Sequence, residues 1–225
     1  MSNPNYETIL ERAAQHHGEA HAVLDMARNT YAASNLKDMS DDRWLSTMTK
    51  CVFNAGFNWK VIDAKWPGFE EAFEGFDPGK LTFMGEEMMD RLISDERIVR
   101  NGQKIKASLE NAAFVHAMSA EHGSFGDFLT SWPADDQVGL MAYLNKHGSR
   151  LGGTTAQYFL RFGGWDAWIA SGDVCKALVR EGVLTKPEAK SKKDLLAVQA
   201  AMNDLHQQSG EPRAVLSRLL ALSVG

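Results

Sequence analysis

Two consecutive glycines, Gly152–Gly153, stand between two apolar segments of helical period and are followed at once by Thr154–Thr155. Apolar residues recur around Val138–Leu144 before them and over Ala156–Phe162 after them. Glycine takes positive φ without steric cost and leaves its backbone N–H uncovered. Threonine is a favoured helix N-cap. The stretch GSRLGGTTAQYFLRF therefore predicts helix, tight turn, helix, with bare amides at the start of the second helix. A helix N-terminus of this kind binds anions, and a nucleic-acid phosphate is the obvious one. Gly152, Gly153, Thr154 and Thr155 are the candidate phosphate contacts, flanked by His147 and Arg150. A loop with Trp165 and Trp168 follows, then Asp173, twenty residues past Gly153, then the basic amphipathic run VCKALVREGVL. Two roles fit Asp173: a carboxylate facing whatever the bound phosphate belongs to, or the N-cap of the helix over Val174–Arg180.

Composition narrows the function classes. No apolar run approaches the roughly 20 residues of a membrane span. The N-terminus MSNPNYETIL lacks the shape of a signal peptide, so a cytoplasmic protein with no membrane partner is expected. The two cysteines, Cys51 and Cys175, are far apart with no CxxC. That speaks against a disulfide framework, an iron–sulfur cluster and a cysteine zinc site. His17 and His21 are four apart, a spacing that could hold a metal on one helix face. Gly18 interrupts that helix and no third ligand is evident, so the pair reads as a solvated cluster. Neither metal nor cofactor is expected. With 225 residues and a net charge of −5, the whole surface is not a trap for polyanions. DNA would be held by a local basic patch. Arg100, Lys104 and Lys106 around Asn101–Gly102 offer one, as a phosphate-contacting loop and helix start. The alternative is a solvated charged helix face.

Elsewhere the apolar positions repeat with helical period. Ile9, Leu10 and Ala13 or Ala14 mark one segment, Val23, Leu24, Ala27 and Tyr31 another, and Trp44, Leu45, Met48 and Val52 a third behind Ser40–Asp41. The segment from Ser119 is expected to be loop-rich, with Phe125, Phe128, Leu129 and Trp132 plugging the core and a turn at Ser131–Pro133. Thr185–Asp194 is a polar, lysine-rich connector, and Leu195–His206 and RAVLSRLLALSVG are amphipathic helices, the last opened by Pro212. Alternation of strand period is convincing nowhere, so the chain is expected to be all-α.

The segment CVFNAGFNWKVIDAKWPGFEEAFEGFDP carries an ordered set: Ala55, Gly56, Phe57, Asn58 and Trp59, then Phe69, Phe73, Phe76, Asp77 and Pro78. This set resembles the signature of the methyladenine DNA glycosylase I family, which has AGLSW, an apolar helix and an F-x-x-F-D stretch. The following block resembles that family through Ile98, Arg100, Lys104, Ile105 and Asn111–Ala112. The likeness runs from about Trp44 to Met118 and resumes at the glycine turn through Phe162. The turn and the downstream Asp resemble the wider helix-hairpin-helix DNA glycosylase superfamily, in which a glycine-rich hairpin grips a DNA phosphate and an Asp is the catalytic carboxylate. The resemblance implies a helix-hairpin-helix bundle of two helical lobes with a cleft between them. It places a hairpin lobe at about 51–147 and 148–184, and a packing lobe from the terminal segments 1–50 and 185–225. Trp59 and Asp173 are then expected to line one cleft, with RLGGTT on its rim. Two departures mark a divergent branch. The family carries a pocket Glu where this chain has Cys51, and a structural zinc bound by Cys and His near both termini for which this chain lacks the cysteines.

The implied chemistry is monofunctional hydrolysis of the N-glycosidic bond of an alkylated purine such as 3-methyladenine in double-stranded DNA; a monomer is expected, though nothing in the sequence fixes the oligomeric state. Alkylation at N3 makes the base cationic and a good leaving group. The enzyme must then stabilise oxocarbenium character on the sugar, which a carboxylate near C1′ does electrostatically; Asp173 is the candidate. Superfamily members that also cut the strand use a hairpin lysine as an amine nucleophile, and the comparable position here is Thr154 or Thr155. A flipped base stacks on an aromatic wall, and a cationic base is drawn to an aromatic face. Trp59 is the first candidate, with Phe53 and Tyr158 behind it, and Asn54 and Asn58 could hydrogen-bond a purine edge. Two other readings remain open: a catalytically silent helix-hairpin-helix protein that binds DNA or lesions, and a glycosylase for a different base.

Overall fold

The computed structural model describes residues 4–31 and 34–225. Its helices are α1 (Tyr6–His17), α2 (Ala20–Arg28), α3 (Asp41–Asn54), α4 (Trp59–Ala72), α5 (Pro78–Ser94) and α6 (Gly102–His122), followed by α7 (Phe125–Ser131), α8 (Gln137–His147), α9 (Thr154–Phe162), α10 (Gly172–Arg180), α11 (Lys192–Ser209) and α12 (Arg213–Leu222). Short 3-10 turns cover Leu36–Asp38 and Glu74–Phe76. Among the described residues there is no strand, and no helix is long and apolar enough to cross a membrane.

Local chemistry sets the helix boundaries. Asn5, Asn58, Asp77, Asn101, Ser124, Ser171 and Ser191 each accept a first-turn N–H through the side chain, which satisfies an otherwise orphaned donor. Ser191 and Asp194 complete a reciprocal capping box. Gly18 ends α1 and α2 starts at Ala20, so His17 and His21 do not share a helix. The segment from Ser119 is more helical than expected. α6 runs on to His122, and Ser124, bonded to the Asp127 N–H at 2.9 Å, starts α7. Phe125, Phe128 and Leu129 are buried there as expected, while Trp132, expected in the same plug, is only half-buried.

The chain divides into two compact units. One comprises residues 35–132 and 140–163. It is built around α3, whose Trp44 ring lies 5.8 Å from both Phe125 and Phe159. Burying rings of this size stabilises the unit by about 1.5–3 kcal/mol each. The other comprises residues 1–34, 133–139 and 164–225. It gathers α1, α2, α10 and α11 against α12, with Trp168 and Leu220 fully buried. There Asp166 accepts the backbone N–H groups of Arg213 and Ala214 at 3.1 and 2.8 Å, capping α12.

This division sorts three segments differently from the expected lobes, and one of them, residues 133–139, lies with the terminal segments. Residues 35–50 lie with the hairpin, because α3 is one continuous buried helix: Trp44, Leu45 and Met48 share a core with Phe53. Residues 164–184 lie with the terminal segments, because the apolar face of α10 packs on α12.

Candidate functional site

One pocket of the hairpin-bearing unit collects much of the expected chemistry. It has a volume of about 180 Å³ and is lined by Cys51, Asn54, Ala55, Gly56, Trp59, Thr154, Thr155, Tyr158 and Phe162. The end of α3, the four-residue turn after it and the first residue of α4 make one wall; α9 makes the other. On α9, Thr155, Tyr158 and Phe162 fall at i, i+3 and i+7, one helix face. The alternating residues Ala156, Phe159 and Leu160 fill the core. Trp59 meets Tyr158 edge-on at 5.1 Å and Phe162 at 5.8 Å. Trp59 remains 38% exposed and Phe162 50% exposed, so aromatic surface is open to an incoming group.

The polar lining is sparse. Asn54 is only 5% exposed, and its Oδ1 has no hydrogen-bond partner among the described residues. An unsatisfied buried acceptor costs about 1–3 kcal/mol, a cost removed by any ligand that donates to it. Cys51, already marked in the sequence as a departure from the resembled family's pocket Glu, lies in the wall. Burial pushes its thiol up to about 12, so it brings no charge to the pocket near neutral pH. Hydroxyls of Thr154, Thr155 and Tyr158 can rotate to donate or accept.

The turn between α3 and α4 is held from behind. Gly56 takes φ 73°, and the Phe57 N–H donates to the Asn54 carbonyl at 3.1 Å. Lys104 donates its ammonium to the carbonyls of Phe53 at 2.8 Å and Ala55 at 2.6 Å, beneath the Phe57 ring at 4.4 Å. Burial, with Arg150 adding to it, lowers the pKa of Lys104. Lys104 was expected to touch phosphate; instead it is 6% exposed and committed to these carbonyls. Arg100 of the same expected patch is exposed, 3.8 Å from Glu96.

The hairpin forms where expected, with its details shifted. Gly153, at φ 57°, occupies the N-cap of α9, and among the described residues no side chain caps that end. Thr154 and Thr155 are therefore the first helical residues and turn toward the pocket rather than capping. Positive φ falls on Gly153 and on Arg150, also at 57°, rather than on Gly152. Arg150 is exposed and donates to the Gln103 side chain. Asn111, singled out in the sequence only as part of the resemblance, secures the turn: buried, it accepts the Ser149 N–H at 2.7 Å and donates to the Ser149 carbonyl at 3.0 Å.

Other candidates are not among the residues that line this pocket. Phe53 is fully buried, 4.7 Å from the Phe69 ring. Asn58 is exposed and caps α4 through the Lys60 N–H at 3.0 Å. Trp165 and Trp168 are core residues of the other unit. Asp173 belongs to that unit too. It sits in the first turn of α10, exposed and 2.8 Å from Lys176, while Ser171 holds the N-cap position.

Several known proteins are similar. A sequence profile described as methyladenine glycosylase matches residues 36–150, just over half of the chain. DNA-3-methyladenine glycosylase 1 of Escherichia coli (strain K12) is 35% identical over 78 residues, which make up 35% of this chain and 42% of that protein. The chain thus spans less than half the length of that relative. Among solved structures, a mutant of 3-methyladenine DNA glycosylase I from Staphylococcus aureus matches with a TM-score of 0.50 at 25% identity, covering 56% of this chain and 78% of that one. An 8-oxoguanine glycosylase/lyase from Methanocaldococcus jannaschii, in complex with a 15mer DNA containing 8-oxoguanine, covers 95% of both chains with a TM-score of 0.55 at 13% identity. That last likeness is one of fold, and it covers nearly the whole chain.

Proposed function

We propose that this chain, which belongs to the methyladenine glycosylase family, is a base-excision repair glycosylase. It hydrolyses the N-glycosidic bond of an alkylated purine such as 3-methyladenine in double-stranded DNA. The observation that carries this reading is the joining, in one pocket, of three aromatic rings and an unsatisfied Asn54 acceptor with the uncapped start of α9. The flipped base enters between Trp59, Tyr158 and Phe162. Their faces attract its positive charge, a role the neutral Cys51 thiol cannot fill. Asn54 accepts a hydrogen bond from the base edge. The amides of Gly152–Thr155, with Arg150 and Arg100, hold the sugar–phosphate chain. Asp173 supplies the carboxylate that stabilises positive charge on the sugar. Water adds to C1′ and gives up a proton, the C1′–N bond breaks, and the bonding pair leaves with the base as a neutral purine. Threonine at the head of α9 offers no amine, so an abasic site remains and the strand is left intact. The protein acts as a cytoplasmic monomer without a cofactor.

Cys51 favours one second reading, a protein that holds the lesion without cutting. Release of 3-methyladenine from methylated duplex DNA separates the two. Wild type releasing the base and Asp173→Asn releasing at least about 100-fold less is the expected result, within the span set by positioned acid–base and electrostatic groups. No release by wild type, with binding to the lesion retained, establishes the silent protein. Equal release by the variant removes Asp173 from the mechanism.

A further inference from the structure

We propose that Lys104 is a positioning residue of the base pocket: its ammonium, bonded to the carbonyls of Phe53 and Ala55, fixes the turn that joins the Cys51–Asn54 wall to Trp59. This rests on the reading above that the pocket takes a base.

The geometry has three parts. The last carbonyls of a helix have no intrahelical donor, and the helix dipole makes that end negative. Lys104 answers both needs at the end of α3, with bonds of 2.8 and 2.6 Å. Its charge lies under the Phe57 ring at 4.4 Å, so the side chain that crowns the turn is anchored through the same ammonium. Two of its three protons are thereby committed, and the residue is 6% exposed, which leaves little for a phosphate.

The place of Lys104 on α6 adds a further argument. Seven residues on, two helical turns along α6, Asn111 holds Ser149 by two hydrogen bonds, and the neighbouring Gln103 accepts from Arg150. A single rigid helix therefore holds both the turn that carries the aromatic wall and the turn that carries the phosphate-binding amides. Lys104 makes the first of these attachments. It touches neither base nor phosphate and acts through Ala55, Phe57 and Trp59.

The test compares Lys104→Met, which keeps the stem and loses the ammonium, with Lys104→Arg, which keeps charge and donors. Free 3-methyladenine is titrated calorimetrically into each protein well below its melting temperature. In parallel, affinity for undamaged duplex is measured across a salt series. Lys104→Met should bind the base at least about 10-fold more weakly, a loss of about 1.4 kcal/mol, and Lys104→Arg should restore most of that loss. The slope of log affinity against log salt should be the same in all three. A general loss of stability would yield neither the rescue by arginine nor the selective effect on the base. Should Lys104→Met not fold, Lys104→Gln, with a shorter stem and an uncharged donor, replaces it under the same expectation. The proposal is overturned if the uncharged variant binds base like wild type, or if arginine does not rescue. It is also overturned if the salt slope falls by about 0.9, the mark of one lost phosphate contact. If wild type takes up no 3-methyladenine, the base-pocket reading itself fails, an outcome distinct from the others.

Discussion

At the scale of single residues, Trp59 carries the largest testable effect. Stacking of a base on an aromatic side chain is worth about 1–3 kcal/mol, and Trp59 is 38% exposed rather than part of the core. Trp59→Ala should therefore weaken binding of free 3-methyladenine by roughly 10- to 100-fold while shifting the melting temperature little. A calorimetric titration beside a thermal melt checks both halves, and a large melting shift with unchanged affinity would return Trp59 to the core. Part of this site was legible from sequence. Trp59, Asn54 and Tyr158 flank turns that glycine punctuates, and all three line the pocket. Phe162 could have been found too, since it repeats Tyr158 and Thr155 at helical spacing. Phe53 could not be told from Asn54, because neighbours on a helix point about 100° apart and only the packed structure shows which one meets the core. Lys104 looked like a surface cation because its carbonyl partners lie about 50 residues away in the chain.

At the scale of elements, the hairpin is a turn braced from outside. α8 and α9 are each short, and isolated helices of such length are marginal in water. Asn111 supplies an external brace with two half-buried hydrogen bonds to Ser149. Asn111→Leu leaves the half-buried Ser149 N–H and carbonyl without this partner, which costs less than the roughly 1–3 kcal/mol of a fully buried group. We expect duplex affinity to fall at least about 5-fold, the equivalent of about 1 kcal/mol, with free-base affinity nearly unchanged, because the brace bears on the phosphate-binding turn and not on Trp59. Filter binding to duplex and calorimetry with the base measure the two separately. A parallel drop in both would mean the hairpin and the pocket move as one. Helix existence was readable from apolar period almost throughout. The hairpin's cap was not, because Gly153 at φ 57° takes the N-cap position that threonine chemistry suggested. α7 was also missed: glycines and a proline suggested loops, while the Ser124–Asp127 bonds and three buried side chains outweigh them.

At the scale of the whole molecule, the helical class and its apolar content were legible. The grouping of segments into units was not, because it depends on which faces meet: residues 35–50, 133–139 and 164–184 are grouped otherwise than expected for that reason. Long-range charge pairing was equally hidden, and it makes stability depend on pH. Glu70 accepts from Arg43 at 2.8 and 2.9 Å, from Ser46 at 2.7 Å and from the Trp66 indole at 3.0 Å. Burial pushes its carboxyl up, but these donors outweigh burial and hold it below its ordinary 4.5. A carboxyl whose pKa is lower in the folded than in the unfolded state binds fewer protons when folded. Its stabilisation is complete above the unfolded value, near 4.5, and disappears as pH falls through the lowered folded value. Glu70→Gln removes the charge but keeps the size. It should cost about 1 kcal/mol at pH 7, the difference between charged and neutral hydrogen bonds. That gap should close at a pH below the folded value, where wild-type Glu70 is itself protonated. Urea unfolding of both proteins at pH 7 and at the lowest pH at which both still fold, well below 4.5, measures how far it closes. A gap of equal size at both values would show that Glu70 stabilises the unit by shape and packing, with its charge contributing nothing.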